Sequence, residues 1–152
     1  MFMVLSDPAI YEYENQPPAS LEWLRSRFVK LETRLSSDGQ EKWLNWVIRL
    51  PSRELIGYVQ ATVKTNGSAA IAYVLCSAYW GRGLASEAVR AMISELAQNY
   101  RVRRLTAVFK RENRRSCRLL ERLGFSVAAP ELQARYQVEP GEILMHRDLA
   151  IQ

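Results

Sequence analysis

Residues 79–88 read Tyr-Trp-Gly-Arg-Gly-Leu-Ala-Ser-Glu-Ala, and they join two apolar runs of different kinds. Residues 71–76 predict a strand, whereas residues 85–96 carry apolar side chains at helical spacing. A tight turn into a helix directs unpaired backbone N–H groups and the positive end of the helix dipole into its own loop. Because Gly81 and Gly83 leave this loop with little side chain, the stretch predicts an anion site, and phosphate is the usual anion.

The spacing of these glycines separates the loop from two common nucleotide-binding loops. No third glycine follows at the distance of the dinucleotide fingerprint, and no acidic residue ends a following strand. No Gly-Lys-Ser/Thr follows, so the loop is not a Walker A motif. NAD and ATP are therefore disfavoured as ligands, and a plain strand-to-helix connection is the alternative to an anion site.

Length and composition restrict the class of protein. The chain has 152 residues, 48% of them hydrophobic, so we expect one domain over residues 1–152. No apolar stretch approaches the ~18 residues of a membrane span, and the start lacks the charged lead of a signal peptide. We therefore expect a cytoplasmic protein with no membrane partner. Two cysteines without metal-ligand spacing predict no metal site.

The order of predicted elements indicates an α+β fold with a single mixed, mostly antiparallel sheet flanked by helices. Helices are predicted at 7–14, 21–35 (with Ser20 as N-cap), 85–99 and after Asn113, and strands at 42–50, 54–64, 69–76, 103–110, 125–129 and 142–149. A bulge is expected at Gly57. The crossover through helix 85–99 predicts that strand 69–76 lies parallel to strand 103–110.

A second polar motif opens the helix that follows strand 103–110. Asn113 and Ser116 lie three residues apart, hence on one helix face, and Leu-Gly-Phe follows at 123–125. Capping by Asn113 and exposure of Ser116 to solvent would explain the pair without a ligand. Because the two strands run parallel, the two helices that follow them begin at the same edge of the sheet. A ligand could lie between these helix starts.

Together the two motifs resemble the GNAT superfamily of acetyl-CoA-dependent N-acetyltransferases, in particular its RimJ/RimL-like branch. The resemblance runs from about residue 55 to residue 125. The family loop reads Gln/Arg-x-x-Gly-x-Gly/Ala, and residues 80–85 read Trp-Gly-Arg-Gly-Leu-Ala. Trp80 therefore departs from the family pattern at its first position. The loop acts mainly through backbone N–H groups, so this departure leaves the implied binding in place.

The resemblance implies roles for particular residues. The backbone of Tyr73, Val74 and Leu75 would face the pantetheine arm and the acetyl carbonyl, where this strand splays from strand 103–110. The residues whose N–H groups would hold the pyrophosphate are Gly81, Arg82, Gly83, Leu84, Ala85 and Ser86. Asn113 would hydrogen-bond the cofactor arm. Ser116 would contact the cofactor near the thioester sulfur and act as the catalytic acid for the departing thiolate.

The resemblance also implies the reaction, a transfer of acetyl to a primary amine by direct attack in a ternary complex. The acceptor would be a protein N-terminus or a small-molecule amine, an antibiotic included, and it must lose its proton. Candidate bases are Glu12, Glu14 and Glu54, each of which is also explained as a surface carboxylate. Candidate acceptor contacts are Asn45, Tyr11 and Tyr13. Trp43 and Trp46 lie on the same predicted strand as Asn45, and the aromatic face of that strand is expected to belong mostly to the core.

Other features have structural explanations. Arg114, Arg118 and Arg122 form a stripe that we interpret as a solvated face, with contact to the adenosine phosphates as the alternative. Cys117 is expected in the core, and His146 is expected to be structural. The family's first strand has no counterpart in the few residues before Asp7. Two explanations stay open: the start of the chain is truncated, or the sheet edge is completed otherwise, with a homodimer as one possibility.

Two other functions remain open from the sequence. A non-catalytic CoA-sensing or interaction module on the same fold would share the glycine loop but turn over no amine. A basic nucleic-acid-binding domain is compatible with the net charge of +5 and would use the arginine-rich helix. Because no helix-turn-helix, zinc or RNP pattern accompanies that charge, we expect no nucleic-acid partner.

Overall fold

The computed structural model describes residues 1–13 and 15–150, so Glu14, one of the candidate bases, lies outside the described residues. The helices are α1 (Phe2–Leu5), α2 (Leu21–Leu31), α3 (Leu84–Asn99), α4 (Arg114–Arg122) and α5 (Pro130–Arg135), with 3₁₀ turns at Pro8–Tyr11 and Ser77–Tyr79. The strands are β1 (Glu41–Arg49), β2 (Leu55–Lys64), β3 (Ser68–Leu75), β4 (Arg104–Lys110), β5 (Ser126–Val127) and β6 (Glu142–Asp148).

The strands form one six-stranded sheet in the order β1-β2-β3-β4-β6-β5. Every neighbouring pair is antiparallel except β3 and β4, which run parallel. The predicted α+β class and the parallel arrangement of the strands on either side of helix α3 are therefore confirmed.

The two faces of this sheet differ in character, because alternate residues of a strand point to opposite sides. On one face, Leu44, Ala61 and Ile71 lie in a row across three strands and join the hydrophobic core with apolar residues of α3 and α4. On the other face, the row at the same level is Asn45, Gln60 and Ala72. The second face is thus available to form a cleft rather than a core, and α1 and α2 contact its strands.

Two predicted helices are shorter than expected. The Ser20 hydroxyl accepts the Trp23 N–H at 3.0 Å and begins α2 as predicted, but α2 ends at Leu31 rather than at residue 35. The chain reverses there, since Arg34 has a φ of +57° and Leu35 bridges to Lys42. In the predicted helix 7–14, only the 3₁₀ turn Pro8–Tyr11 forms.

The predicted strand 125–129 is also shorter, and two short helices were not predicted. The Phe125 N–H donates to the Leu120 carbonyl, which closes α4 at Gly124, where φ is +82°. Helix α5 begins at Pro130, so only Ser126–Val127 remain to pair with β6. Helices α1 and α5 have four and six residues, too few for a clear periodic pattern.

Replacement of Gly57 by Ala is expected to lower the free energy of unfolding by about 2 kcal/mol. The register between β1 and β2 shifts beside Gly57, in agreement with the predicted bulge, and a Cβ atom there would overlap the Val74 carbonyl oxygen of β3. Strand β2 would have to move away from β3. Urea denaturation of both proteins measures the difference, and a change below about 0.5 kcal/mol would contradict the close approach.

Candidate active site

Strands β3 and β4 form a slot because they pair over only part of their length. Their register covers three residue pairs and ends at Ala70 opposite Thr106, although β3 continues to Leu75 and β4 to Lys110. Beyond Ala70 the strands are no longer paired with each other. The predicted splay of these strands is therefore present, and it leaves backbone groups of β3 directed toward the gap.

Hydrogen bonds to β2 identify which backbone groups of β3 face the slot. The Cys76 N–H donates to the Ile56 carbonyl at 2.8 Å, and Leu75 lies opposite Gly57. Bonding residues alternate along an antiparallel pair, so Val74 directs its backbone groups to β2, while Tyr73 and Leu75 direct theirs toward the slot. Of the three predicted backbone contacts, Val74 thus contributes a side chain to the cleft instead.

The glycine loop has the geometry of an open helix N-terminus. Gly81 and Gly83 both have a φ of +76°, a conformation that L side chains rarely adopt, and a Cβ at either would meet no atom within 4 Å. Gly83 is the N-cap of α3 and supplies no capping side chain. The N–H groups of the first helical residues, Leu84 to Ser86, therefore have no partner within the helix.

Trp80, the residue that departs from the family pattern, is held from two sides. Its indole N–H donates to the Leu75 carbonyl at 2.9 Å, and the Arg115 guanidinium carbon lies 3.6 Å from its ring centroid. Arg115 also pairs with Glu12 at 3.5 Å. A cation stacked on an aromatic face is thereby placed beside the glycine loop. No local pattern predicted this stacking of Arg115 on Trp80, because Arg115 lies one position away from the arginine stripe on α4.

Asp7 connects the N-terminal segment to the chain just before the glycine loop. Its carboxylate accepts the Ser77 hydroxyl at 2.6 Å, the Ser77 N–H at 2.8 Å and the Ala9 N–H at 3.1 Å. The Ser77 hydrogen bonds lower the pKa of the Asp7 carboxyl. The sequence pattern placed Asp7 at the start of a predicted helix and contained no signal for this long-range contact.

Asn113 and Ser116 meet Tyr73 at the start of α4. The Asn113 side chain accepts the Ser116 N–H at 3.2 Å, so it caps the helix, and all three residues line one cleft of about 980 Å³. The Tyr73 hydroxyl lies 3.5 Å from the Ser116 carbonyl oxygen. Burial raises the pKa of Tyr73 to about 12. From the sequence, only the backbone of Tyr73 was predicted to face the cleft. No local pattern indicated that its hydroxyl would lie beside Ser116.

The same cleft continues along the second face of the sheet, beneath α2. Asn45 and Gln60 lie side by side there, and Tyr11 and Tyr13, the other two candidate acceptor contacts, also line the cleft. Besides Tyr73, the other aromatic residues that line it are Trp23, Phe28, Trp43, Trp46, Tyr58 and Phe109. Trp46 also packs against the hydrophobic core, in agreement with its predicted role.

The two candidate bases among the described residues do not line this cleft. Glu12 pairs with Arg115, and Glu54 accepts the Tyr79 hydroxyl at 2.7 Å. Both carboxylates therefore have partners on the surface near the glycine loop. Their interpretation as surface residues fits these contacts better than a role as base.

The arginine stripe on α4, Cys117 and His146 lie outside the glycine loop and the slot. Arg114, Arg118 and Arg122 are exposed, as a solvated helix face requires, and Cys117 is half-buried at the edge of the core. His146 is half-buried, and its Nδ1 has no hydrogen-bond partner. Within residues 1–13 and 15–150, there is no cluster of potential metal ligands and no helix long and apolar enough to cross a membrane.

Replacement of Tyr73 by Phe is expected to protect the fold against alkali. The folded-state pKa of about 12 lies above the ordinary value of 10.0, so the neutral phenol stabilises the fold below pH 10. That contribution is lost as the pH rises from 10 toward 12. Between about pH 9 and about pH 11, wild type should lose about 1 kcal/mol more of its unfolding free energy than the variant. Urea denaturation at both pH values measures this, and equal losses would contradict it.

Comparison with known proteins agrees with this geometry. Residues 1–126 match the acetyltransferase (GNAT) domain family. An uncharacterized N-acetyltransferase, p20 of Bacillus licheniformis, is 30% identical over 122 residues, which are 79% of this chain and 68% of that protein.

Two solved structures share the fold. RimL, a ribosomal L7/L12 alpha-N-protein acetyltransferase in complex with coenzyme A, has a TM-score of 0.80 at 19% identity, covering 99% of this chain and 88% of that one. A spermidine N-acetyltransferase from Vibrio cholerae, in complex with CoA and spermine, has a TM-score of 0.75 at 16% identity, covering 97% and 86%. The chain belongs to the GNAT family and is an acyl-CoA-dependent acetyltransferase.

Proposed function

We propose that this protein transfers an acetyl group from acetyl-CoA to a primary amine in a ternary complex. The observation that carries the proposal is the slot between β3 and β4, which opens beside the first turns of α3 and α4. The names of its relatives support the amine as acceptor, since they include an N-acetyltransferase, a spermidine acetyltransferase and a ribosomal-protein acetyltransferase.

The residues around the slot fit the donor. The N–H groups from Gly81 to Ser86 lie at the positive end of α3, and the space beside Gly81 and Gly83 is open, so a pyrophosphate would bind there. The Asn113 amide, which uses its oxygen to cap α4, keeps its nitrogen as a donor for the pantetheine arm. When bound, acetyl-CoA supplies the acetyl group as an activated thioester. The Tyr73 and Leu75 N–H groups are the donors for a carbonyl oxygen in the slot.

The chain's own groups account for the protons. The reaction forms a C–N bond to the acceptor and breaks the thioester C–S bond, while the nitrogen loses one proton and the sulfur gains one. The Ser116 hydroxyl is the proposed donor to the sulfur. The Tyr73 phenol, whose pKa burial raises further above the physiological range, stays neutral there, so its hydroxyl remains a hydrogen-bond donor beside Ser116.

The acceptor nitrogen must arrive unprotonated or lose its proton to water. Among the described residues, the carboxylate that lines the cleft is Glu32, which lies on the loop after α2. We assign no carboxylate base beside Ser116. An amine of modest pKa, such as an α-amino group, requires the least help. We therefore expect activity to rise with pH as the acceptor amine deprotonates.

Two measurements test the proposal. Calorimetry should detect acetyl-CoA binding in the micromolar range, and thiol release should follow when a panel of primary amines is added. Failure to bind acetyl-CoA would overturn the donor assignment. Binding without thiol release from any amine would instead indicate a non-catalytic CoA-binding module.

A further inference from the structure

The acceptor side of the cleft has an unusual charge for a site that receives an amine. Among the described residues that line the cleft, the charged ones are Arg27, Glu32 and Arg34. The rest are mainly aromatic, apolar or amide side chains. A polycationic acceptor would need several carboxylates to replace its water, and the described part of the cleft offers one against two arginines. The charge therefore favours an acceptor that carries an anionic group.

Arg27 is the cation best placed to bind such a group. It projects from α2 into the cleft, and its guanidinium carbon lies 5.8 Å from the Trp23 ring centroid. Its positive charge also reaches the Tyr58 hydroxyl, where it opposes the rise in pKa that burial causes. Arg27 forms no ion pair with any other described residue. Its planar fork of N–H donors matches the two oxygens of a carboxylate.

Arg27 and the residues of β3 that border the slot line the same cleft, so one small molecule can reach both. Tyr58 on β2 lies opposite Val74 on β3, so the Tyr58 backbone is one strand spacing, about 4.8 Å, from the strand that borders the slot. Asn45 and Gln60 form the floor beside Tyr58. An acceptor with its anion at Arg27 would lie across aromatic side chains and present its amine toward β3.

We propose that the acceptor is a small primary amine that carries a carboxylate on an apolar or aromatic body, as an amino acid does. Arg27 binds the carboxylate, and the aromatic walls of the cleft bind the body. This inference rests on the proposed acetyl transfer and names the class of its acceptor. It distinguishes the site from one for polyamines, whose positive charges Arg27 would repel.

Three acceptors test the inference: L-phenylalanine, phenethylamine, which lacks only the carboxylate, and spermidine, a polycation. Thiol release from acetyl-CoA gives kcat/KM for each, expressed per unprotonated amine because the three differ in pKa. We expect L-phenylalanine to exceed both other amines by at least about 10-fold, the size of one charge-assisted contact. In the Arg27→Ala variant, KM for L-phenylalanine should rise at least about 10-fold more than KM for phenethylamine.

Arg25→Ala is the matched control, because Arg25 lies on the same helix but does not line the cleft. It should leave all three reactions unchanged. A preference for spermidine or phenethylamine would overturn the inference while the proposed acetyl transfer stands. Equal effects of Arg25→Ala and Arg27→Ala would overturn the assignment of Arg27. Acetyl-CoA binding without turnover of any amine would overturn the proposed function, and this inference with it.

Discussion

Replacement of Gly83 by Asp is expected to lower the affinity for acetyl-CoA by at least about 100-fold. The new carboxylate would stand at the N-terminus of α3, in the open space where the proposed pyrophosphate binds. Two like charges about 4 Å apart repel by about 4 kcal/mol at the effective dielectric of a protein surface. About 2.7 kcal/mol is enough for a 100-fold loss.

The fold should tolerate this substitution. A carboxylate in the first turn of a helix interacts favourably with the helix dipole, which offsets part of the cost of a left-handed conformation. Asp is also among the residues that adopt this conformation most readily after glycine. The substitution should therefore act on binding far more than on stability, and thermal unfolding without ligand measures the difference.

Gly39→Asp is the matched control for this prediction. Gly39 has a φ of +71°, and a Cβ there also meets no atom within 4 Å, but it lies in the turn before β1. Both variants should lose similar stability, and only Gly83→Asp should lose affinity in calorimetry with acetyl-CoA. Wild-type affinity in Gly83→Asp would contradict the assignment of the loop to the pyrophosphate.

Replacement of Ser116 by Ala is expected to lower kcat by about 100-fold and to leave KM for acetyl-CoA nearly unchanged. The hydroxyl is the proposed proton donor to the sulfur, whereas the backbone of the glycine loop supplies most of the donor affinity. The N–H of residue 116 still donates to Asn113, so the cap of α4 persists in the variant. Steady-state kinetics over a range of pH measures both constants.

Ser94→Ala on the exposed side of α3 is the control, since it makes the same chemical change away from the cleft. Full turnover by Ser116→Ala at every pH would remove Ser116 from the chemistry. In that case Tyr73, whose hydroxyl lies beside the Ser116 carbonyl, would be the next group to test as donor. A parallel rise in KM for acetyl-CoA would instead assign Ser116 to cofactor binding.

Much of the fold could be predicted because it follows from local patterns. The strand pattern of β1 and the caps Ser20 and Asn113 are signals carried by neighbouring residues. The limits of α2 and β5 could not be predicted in this way. Leu35 leaves the helical pattern to bridge to Lys42, and this strand-like pairing overrides the helix preference of the residues before it.

In the candidate site, too, some features follow from local sequence patterns and others follow from tertiary contacts. The sequence by itself determined the local structure on the proposed donor side, because a glycine loop before a helix and an Asn-x-x-Ser motif depend on turns and caps that local spacing specifies. Only the tertiary structure decided the partners of those motifs. It stacked Arg115 on Trp80, tied Asp7 to Ser77, and brought Tyr73 to Ser116 across 43 positions of sequence.

The acceptor side depended on tertiary structure almost entirely. Nothing in the sequence distinguishes Arg27 from the other arginines near it in the chain. Its position over the cleft follows from how α2 packs on β1. The sequence shows Glu12 and Glu54 only as carboxylates. The tertiary structure shows their partners, because Glu12 pairs with Arg115 and Glu54 accepts the Tyr79 hydroxyl. Local patterns specify turns and caps, whereas the charge of a cleft depends on which distant side chains the fold brings together.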